Sequence, residues 1–193
     1  MTATSSLRQL VAATRVLLVL TVLTGIAYPL AITAIAQVIA PDKANGSRVQ
    51  LGGKVIGSTL IAQRFDGPQW FHPRPSAAGD GYDTLSSSAS NLGPNNPELA
   101  KSIRANQVAY AKENGVAVSN VPADAVTGSG SGLDPHISLA NARIQARRVA
   151  EARGLSPAKV RGLVEQLRQG RTLGVLGGER VNVLELNLRL AKL

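Results

Sequence analysis

The chain has no cysteine and only one methionine, one tryptophan, two phenylalanines, three tyrosines and two histidines among 193 residues. The absence of cysteine excludes a disulfide framework, a thiolate metal site and a cysteine nucleophile. The scarcity of aromatics leaves Ala, Val, Leu and Ile to build the core, helped by Phe65, Trp70, Phe71, Tyr82 and Tyr110. Charge is missing from Val16 to Pro41, the longest uncharged run in the chain. Thr21, Thr24, Thr33, Gln37 and the Tyr28 hydroxyl are its most polar groups.

What is present in that run is length. A bilayer core of about 30 Å needs about 20 apolar residues in a helix, so the run is long enough to span with some tilt. A cleaved signal peptide is the competing reading, with Ala34-Ile35-Ala36 as its small-residue site. Signal h-regions run to about 15 residues, and this run exceeds that before Ala34 is reached. The division expected is a short tail over 1–15, a transmembrane anchor over 16–40 and a single soluble domain over 41–193. Arg8 and Arg15 precede the span while Lys43, Arg48 and Lys54 follow it, so the flanking charges do not fix its orientation. Within the span, Pro29 has no N–H and its ring crowds the Gly25 carbonyl, which predicts a kink. Gly25 is also small enough to let another helix come close, so Gly25 and Pro29 are candidate partner contacts.

Beyond the span there is chain for one domain of about 150 residues. Its charge is uneven. From 42 to 142, eight Lys and Arg balance eight Asp and Glu, whereas 143–193 carries eleven against four. That asymmetry points to an anionic or acidic partner surface, with Arg143, Arg147, Arg148 and Lys159 as candidates, or else to a solvated basic face. Nucleic acid is disfavoured, because no recognisable binding motif accompanies the charge.

Local signals predict a mixed α+β fold rich in helix. Residues 42–54 read as a polar stem, and 55–65 as a short strand or strand and turn. Pro68, Pro73 and Pro75 force an extended path through the Trp70–Arg74 segment, WFHPR. Its Trp70, Phe71, His72 and Arg74 suit a partner-facing surface, although Trp70 and Phe71 serve equally well as core. Residues 79–97 form a long Gly, Ser, Asn and Pro loop. Helices are predicted from Asn96-Pro97 to Gly115, from near Ser138 to Gly154, and from Ser156-Pro157 to Gly170. The segment 181–193 alternates like a strand, but Asn182 with Glu185 makes a helix start, and helix is preferred.

Chemistry of its own is weakly signalled. His72 and His136 lie near Asp66, Asp80, Asp83 and Asp134 without metal-ligand spacing on any helix. Ser129, Ser131, Asp134 and His136 are too close in sequence for a triad assembled from separate elements. Gly128–Gly132, GSGSG, lacks the lysine of a nucleotide loop and reads more simply as a close-packed turn. No catalytic or metal residue is assigned.

Taken together, WFHPRPSAAG with GYD, SNLGPNNP, VTGSGSGLDPHIS, RVAEARGL and RVNVLELNL, behind one N-terminal span, resemble the C subunit of the bacterial Kdp potassium-transporting P-type ATPase. Leu139 departs from the Pro that tends to follow DPHIS in that family, and this touches only a helix start. The resemblance implies a non-catalytic, single-pass subunit of the inner membrane. It implies partners too: a potassium-carrying subunit, a P-type ATP-hydrolysing subunit and a small peptide subunit. The family is commonly described as a catalytic chaperone that raises the nucleotide affinity of the P-type subunit in a transient complex with ATP. A domain outside the cytoplasm cannot touch cytoplasmic ATP. Two readings therefore stand, an assembly and regulatory subunit with an external domain, or an ATP-binding chaperone with a cytoplasmic one.

Overall fold

The uncharged apolar run from Val16 favours one uninterrupted helix, and the helix that contains it spans residues 3–39, including Arg8 and Arg15 on its N-terminal turns. The computed structural model describes residues 3–193, so residues 1 and 2 of the expected tail lie outside the described residues. The helix comprises α1 (Ala3–Leu20), a π-helical stretch (Thr21–Ala27) and α2 (Tyr28–Ile39). From Ser6 to Ile39 it is long and apolar enough to cross a membrane. The sequence predicts a kink at Pro29, and the structure absorbs the missing N–H as the wider turn just before it. There the Tyr28 N–H donates to the Leu23 carbonyl, five residues back. Thr24 and Thr33 return their hydroxyls to the carbonyls of Leu20 and Pro29, at 2.7 and 2.8 Å, so neither needs water. A short turn, α3 (Pro41–Ala44), completes this unit, which ends at Arg48.

The second unit runs from Val49 to Leu193. It opens on a hairpin of β1 (Arg48–Leu51) and β2 (Lys54–Ser58), where a stem and a longer strand are expected from the sequence. Residues 59–96 contain no helix or strand. Then come α4 (Pro97–Asn114), β3 (His136–Ser138), α5 (Leu139–Arg153), α6 (Pro157–Gln166), β4 (Arg180–Asn182) and α7 (Val183–Leu190). Strands β3 and β4 pair antiparallel, with Ile137 opposite Val181.

Each of these helices longer than a turn begins where a side-chain oxygen meets a free N–H. Asn96 accepts from the Glu98 N–H, Ser138 from Asn141, Ser156 from Lys159 and Asn182 from Glu185. Helix α6 stops at Gln166, short of Gly170, because Gln169 exchanges two backbone hydrogen bonds with Arg180 and is drawn into the sheet. The apolar stripes close on one another. Ala142, Ala146, Val149 and Ala150 of α5 meet Val160, Leu163 and Val164 of α6 and Val183, Leu186 and Leu190 of α7. Phe71, from the irregular segment, fills the same core.

Candidate functional site

The prolines around WFHPR remove backbone donors and hold the segment extended, so its remaining polar backbone groups need partners from elsewhere. Two helix amides supply them. Asn187 of α7 accepts from the Phe71 N–H and donates to the Phe71 carbonyl, each at 2.9 Å. Gln145 of α5 does the same for His72, at 2.7 and 3.0 Å. The segment is thus read as a strand by two side chains standing in for a neighbouring strand.

Arg148 extends this clamp. Its guanidinium donates to the carbonyls of Pro68 and Trp70, to Asn114 Oδ1 and to Gln145 Oε1, all within 3.1 Å. It is only 7 % exposed, and burial lowers its pKa while Glu113 at 3.6 Å opposes that shift. Such a group belongs to the interior, so Arg148 is corrected from a candidate surface contact to an internal cross-link. Phe71 is 0 % exposed and takes the core place, one of the two readings open to it from the sequence.

The other candidates fall in different places. Trp70 is half-buried, 6.0 Å from Phe65 between ring centres, with the Arg153 guanidinium 4.2 Å above its ring. His72 is half-buried. Its Nε2 lies 2.9 Å from the Gly67 carbonyl and its Nδ1 faces Glu113 at 3.1 Å. That hydrogen bond is the main reason the Glu113 carboxyl lies below the usual carboxylate range. Arg74 pairs with Asp134 at 3.2 Å and donates to the carbonyls of Thr127 and Gly128, tying WFHPR to the Gly-rich turn. Arg143 and Arg147 are exposed, pairing with Glu165 at 2.7 Å and Glu151 at 2.8 Å. Gly25 and Pro29 lie on the exposed apolar helix, where the position of a Gly25 Cβ would meet nothing closer than Thr21 Cγ2 at 3.9 Å.

Between WFHPR and helices α4 and α5 lies a cleft of about 210 Å³, lined by His72, Tyr82, Tyr110, Glu113, Asn141 and Gln145 among others. Its polar groups are engaged. The Tyr110 hydroxyl donates to Asn141 Oδ1 at 2.6 Å, and Tyr82 donates to the Arg74 carbonyl at 2.7 Å. Burial pushes the Tyr82 hydroxyl up to about 12 and raises Tyr110 too. Among the described residues no buried side-chain nitrogen or oxygen lacks a hydrogen-bond partner, and no group of three or more His, Cys, Asp and Glu is placed to hold a metal ion.

The Gly-rich turn leads into β3, with α5 only after it. The start of α5 already carries a carboxylate, since Asp124 accepts from the Ser138 N–H and hydroxyl and from Asn141 Nδ2, at 2.7–3.0 Å. An anion at a helix start would take that position. Gly132 has φ +69°, and a Cβ there would sit 2.5 Å from the Ser88 carbonyl and 2.9 Å from the Ala78 nitrogen. The turn is close-packed against residues 78–88, as its composition suggests.

Sequence reasoning missed Gln145, Asn187, Asn141, Asp124 and Glu113. The signal available was the first three, polar residues set within apolar helix stripes where an unpaired amide would be costly.

Residues 10–192 match the profile of the family described as K+-transporting ATPase, c chain (KdpC). The chain is 53 % identical over 187 residues to a protein named potassium-transporting ATPase KdpC subunit from Mycobacterium tuberculosis H37Rv, covering 96 % of this chain and 99 % of that one. It is 56 % identical over 171 residues to the protein of that name from Rhodospirillum rubrum, covering 89 % of each. The Kineococcus radiotolerans protein of that name is 51 % identical over 187 residues, covering 97 % of this chain and 95 % of that one.

Proposed function

The chain belongs to the KdpC family of K+-transporting ATPase c chains, and from that premise we propose that it is a non-catalytic assembly and regulatory subunit of the pump. In this reading residues 16–40 anchor it in the bacterial inner membrane and residues 41–193 lie on the outer side. There it steadies the complex of the potassium-carrying and ATP-hydrolysing subunits together with a small peptide subunit. The observation that carries the reading is the anchor itself. Its side chains are exposed along Ser6–Ile39, a surface that lipid and the helices of other subunits would cover. The non-catalytic part draws support from the WFHPR network, whose histidine, arginines and amides are engaged in holding the segment to α5 and α7.

The ATP-binding alternative meets an obstacle at the start of α5, where the Asp124 carboxylate would repel a phosphate. The two readings differ in topology. Protease added to intact spheroplasts should degrade residues 41–193 while a cytoplasmic control protein survives. Protection of the domain until the membrane is broken would overturn the external reading and reopen direct contact with ATP.

A further inference from the structure

The turn between α6 and β4 is built in an unusual way. Thr172 and Leu176 exchange two backbone hydrogen bonds of 2.9 Å around three residues. Leu173 and Gly174 inside it both have positive φ, +55° and +78°. That is the pattern of a type I′ turn, whose first central position ordinarily takes Asn, Asp or Gly because a larger side chain is strained there. A leucine held in that conformation is directed outward: Leu173 is 87 % exposed, Val175 73 % and Leu176 57 %. Three aliphatic side chains thus stand in water on a closed, hydrogen-bonded tip.

Beside the tip lies a hollow of about 720 Å³, lined by Leu139, Arg143, Arg171, Gly174 and Glu179 among others. Arg171 is exposed and its guanidinium has no hydrogen-bond or ion-pair partner among the described residues, while Arg143 shares its charge with Glu165. This part of the chain carries the excess of eleven basic over four acidic residues.

We propose that this tip and hollow are the docking surface for another protein subunit of the pump, one that offers an apolar pocket for Leu173 and Val175 and carboxylates at its rim for Arg171 and Arg143. The inference rests on the subunit reading above. A preformed tip loses little freedom on binding, which suits a shaped protein pocket. A bilayer interface rewards aromatic side chains, and the tip has none. The unpaired Arg171 fixes the sign expected of the pocket's rim.

The test uses the whole chain co-expressed with its pump subunits. In Leu173→Gly with Val175→Ser, glycine suits the positive φ and the two apolar anchors are lost. Its melt should match the parent's, while complex dissociation in detergent should quicken by about tenfold or more, as for removal of paired hot spots. Equal retention of variant and parent would overturn the docking surface alone. A parent that is not retained would sink the subunit reading and this proposal with it. Because the chain has no cysteine, Leu173→Cys also gives one site for an environment-sensitive fluorophore. A blue shift in the assembled pump in nanodiscs, absent from the chain alone in the same nanodiscs, supports a protein pocket even if the double variant folds poorly. A blue shift in both would make the bilayer the occupant and overturn the proposal, as would no shift in either.

Discussion

Asn187 and Phe71, 116 residues apart in sequence, exchange two hydrogen bonds in the centre of the core. The asparagine side chain completes the backbone of a residue that no strand pairs. Replacing it leaves a buried N–H and a buried carbonyl without partners, each costing about 1–3 kcal/mol. Asn187→Ala should therefore destabilise the domain by about 2–6 kcal/mol, measured by denaturant unfolding. Asn187→Asp keeps the acceptor and loses the donor, yet adds a buried charge, so it should be no milder.

Three of the four arginines of α5, Arg143, Arg147 and Arg148, should separate cleanly. Arg148→Lys cannot serve four acceptors spread around a planar fork, and should lower the melting temperature sharply. Arg143→Gln and Arg147→Gln remove exposed ion pairs and should leave the melt unchanged. A large loss from either exposed change, or none from Arg148→Lys, would contradict the buried cross-link.

Glu113 and Asp134 are both held below their ordinary pKa values of 4.5 and 3.8, chiefly by hydrogen bonds from His72 and His136. A carboxyl depressed in the folded state adds stability above its unfolded pKa and loses it as pH falls through the folded value. Glu113→Gln should thus melt below the parent near pH 7, and the two melts should converge as pH falls from the ordinary 4.5 through the lowered folded value. Both carboxyls are about a third or more exposed, so solvent screening keeps the difference small.

Gly132→Ala should loosen residues 78–88, since the new Cβ would collide with the Ser88 carbonyl and the backbone is left-handed there. The left-handed strain alone is about 1–2 kcal/mol. Gly130→Ala, with open space around it, should be tolerated. Limited proteolysis of the 78–88 loop would read the contrast.

Gly25→Leu tests the anchor. The position is open on its own helix, so the change should leave helicity intact by circular dichroism. Loss of pump subunits on purification would then report a helix that packs against Gly25. Unchanged recovery would assign the glycine to the π-helical stretch alone.

Much of the helical half was legible, because its signals are local. Asn96, Ser138, Ser156 and Asn182 cap their helices through neighbours two or three residues away. The stripes of α5 and α6 follow from spacing. The site was less legible, since its bonds cross long stretches of chain: His72 to Gln145, Phe71 to Asn187, Arg148 to Pro68. No window of sequence contains both ends. Arg148 illustrates the limit, for it sits one residue from the exposed Arg147 and differs only in the direction it points. The π-helical stretch before Pro29 was half legible, as a fault whose form depends on how the helix shares it.

The same long-range bonds decide how fast the domain can close. Asn182 reaches back to the Thr59 carbonyl, Arg153 to Gln69 and Asn187 to Phe71, over 123, 84 and 116 residues. Helices α5 and α6 can form and pair early, being neighbours in the chain. Residues 59–96 gain their partners only once distant helices have docked, after most of the loop-closure entropy has been lost. On that order the Phe71 slot should fill late, so a partly folded chain would leave an open apolar seam where the finished domain has the Asn187 clamp.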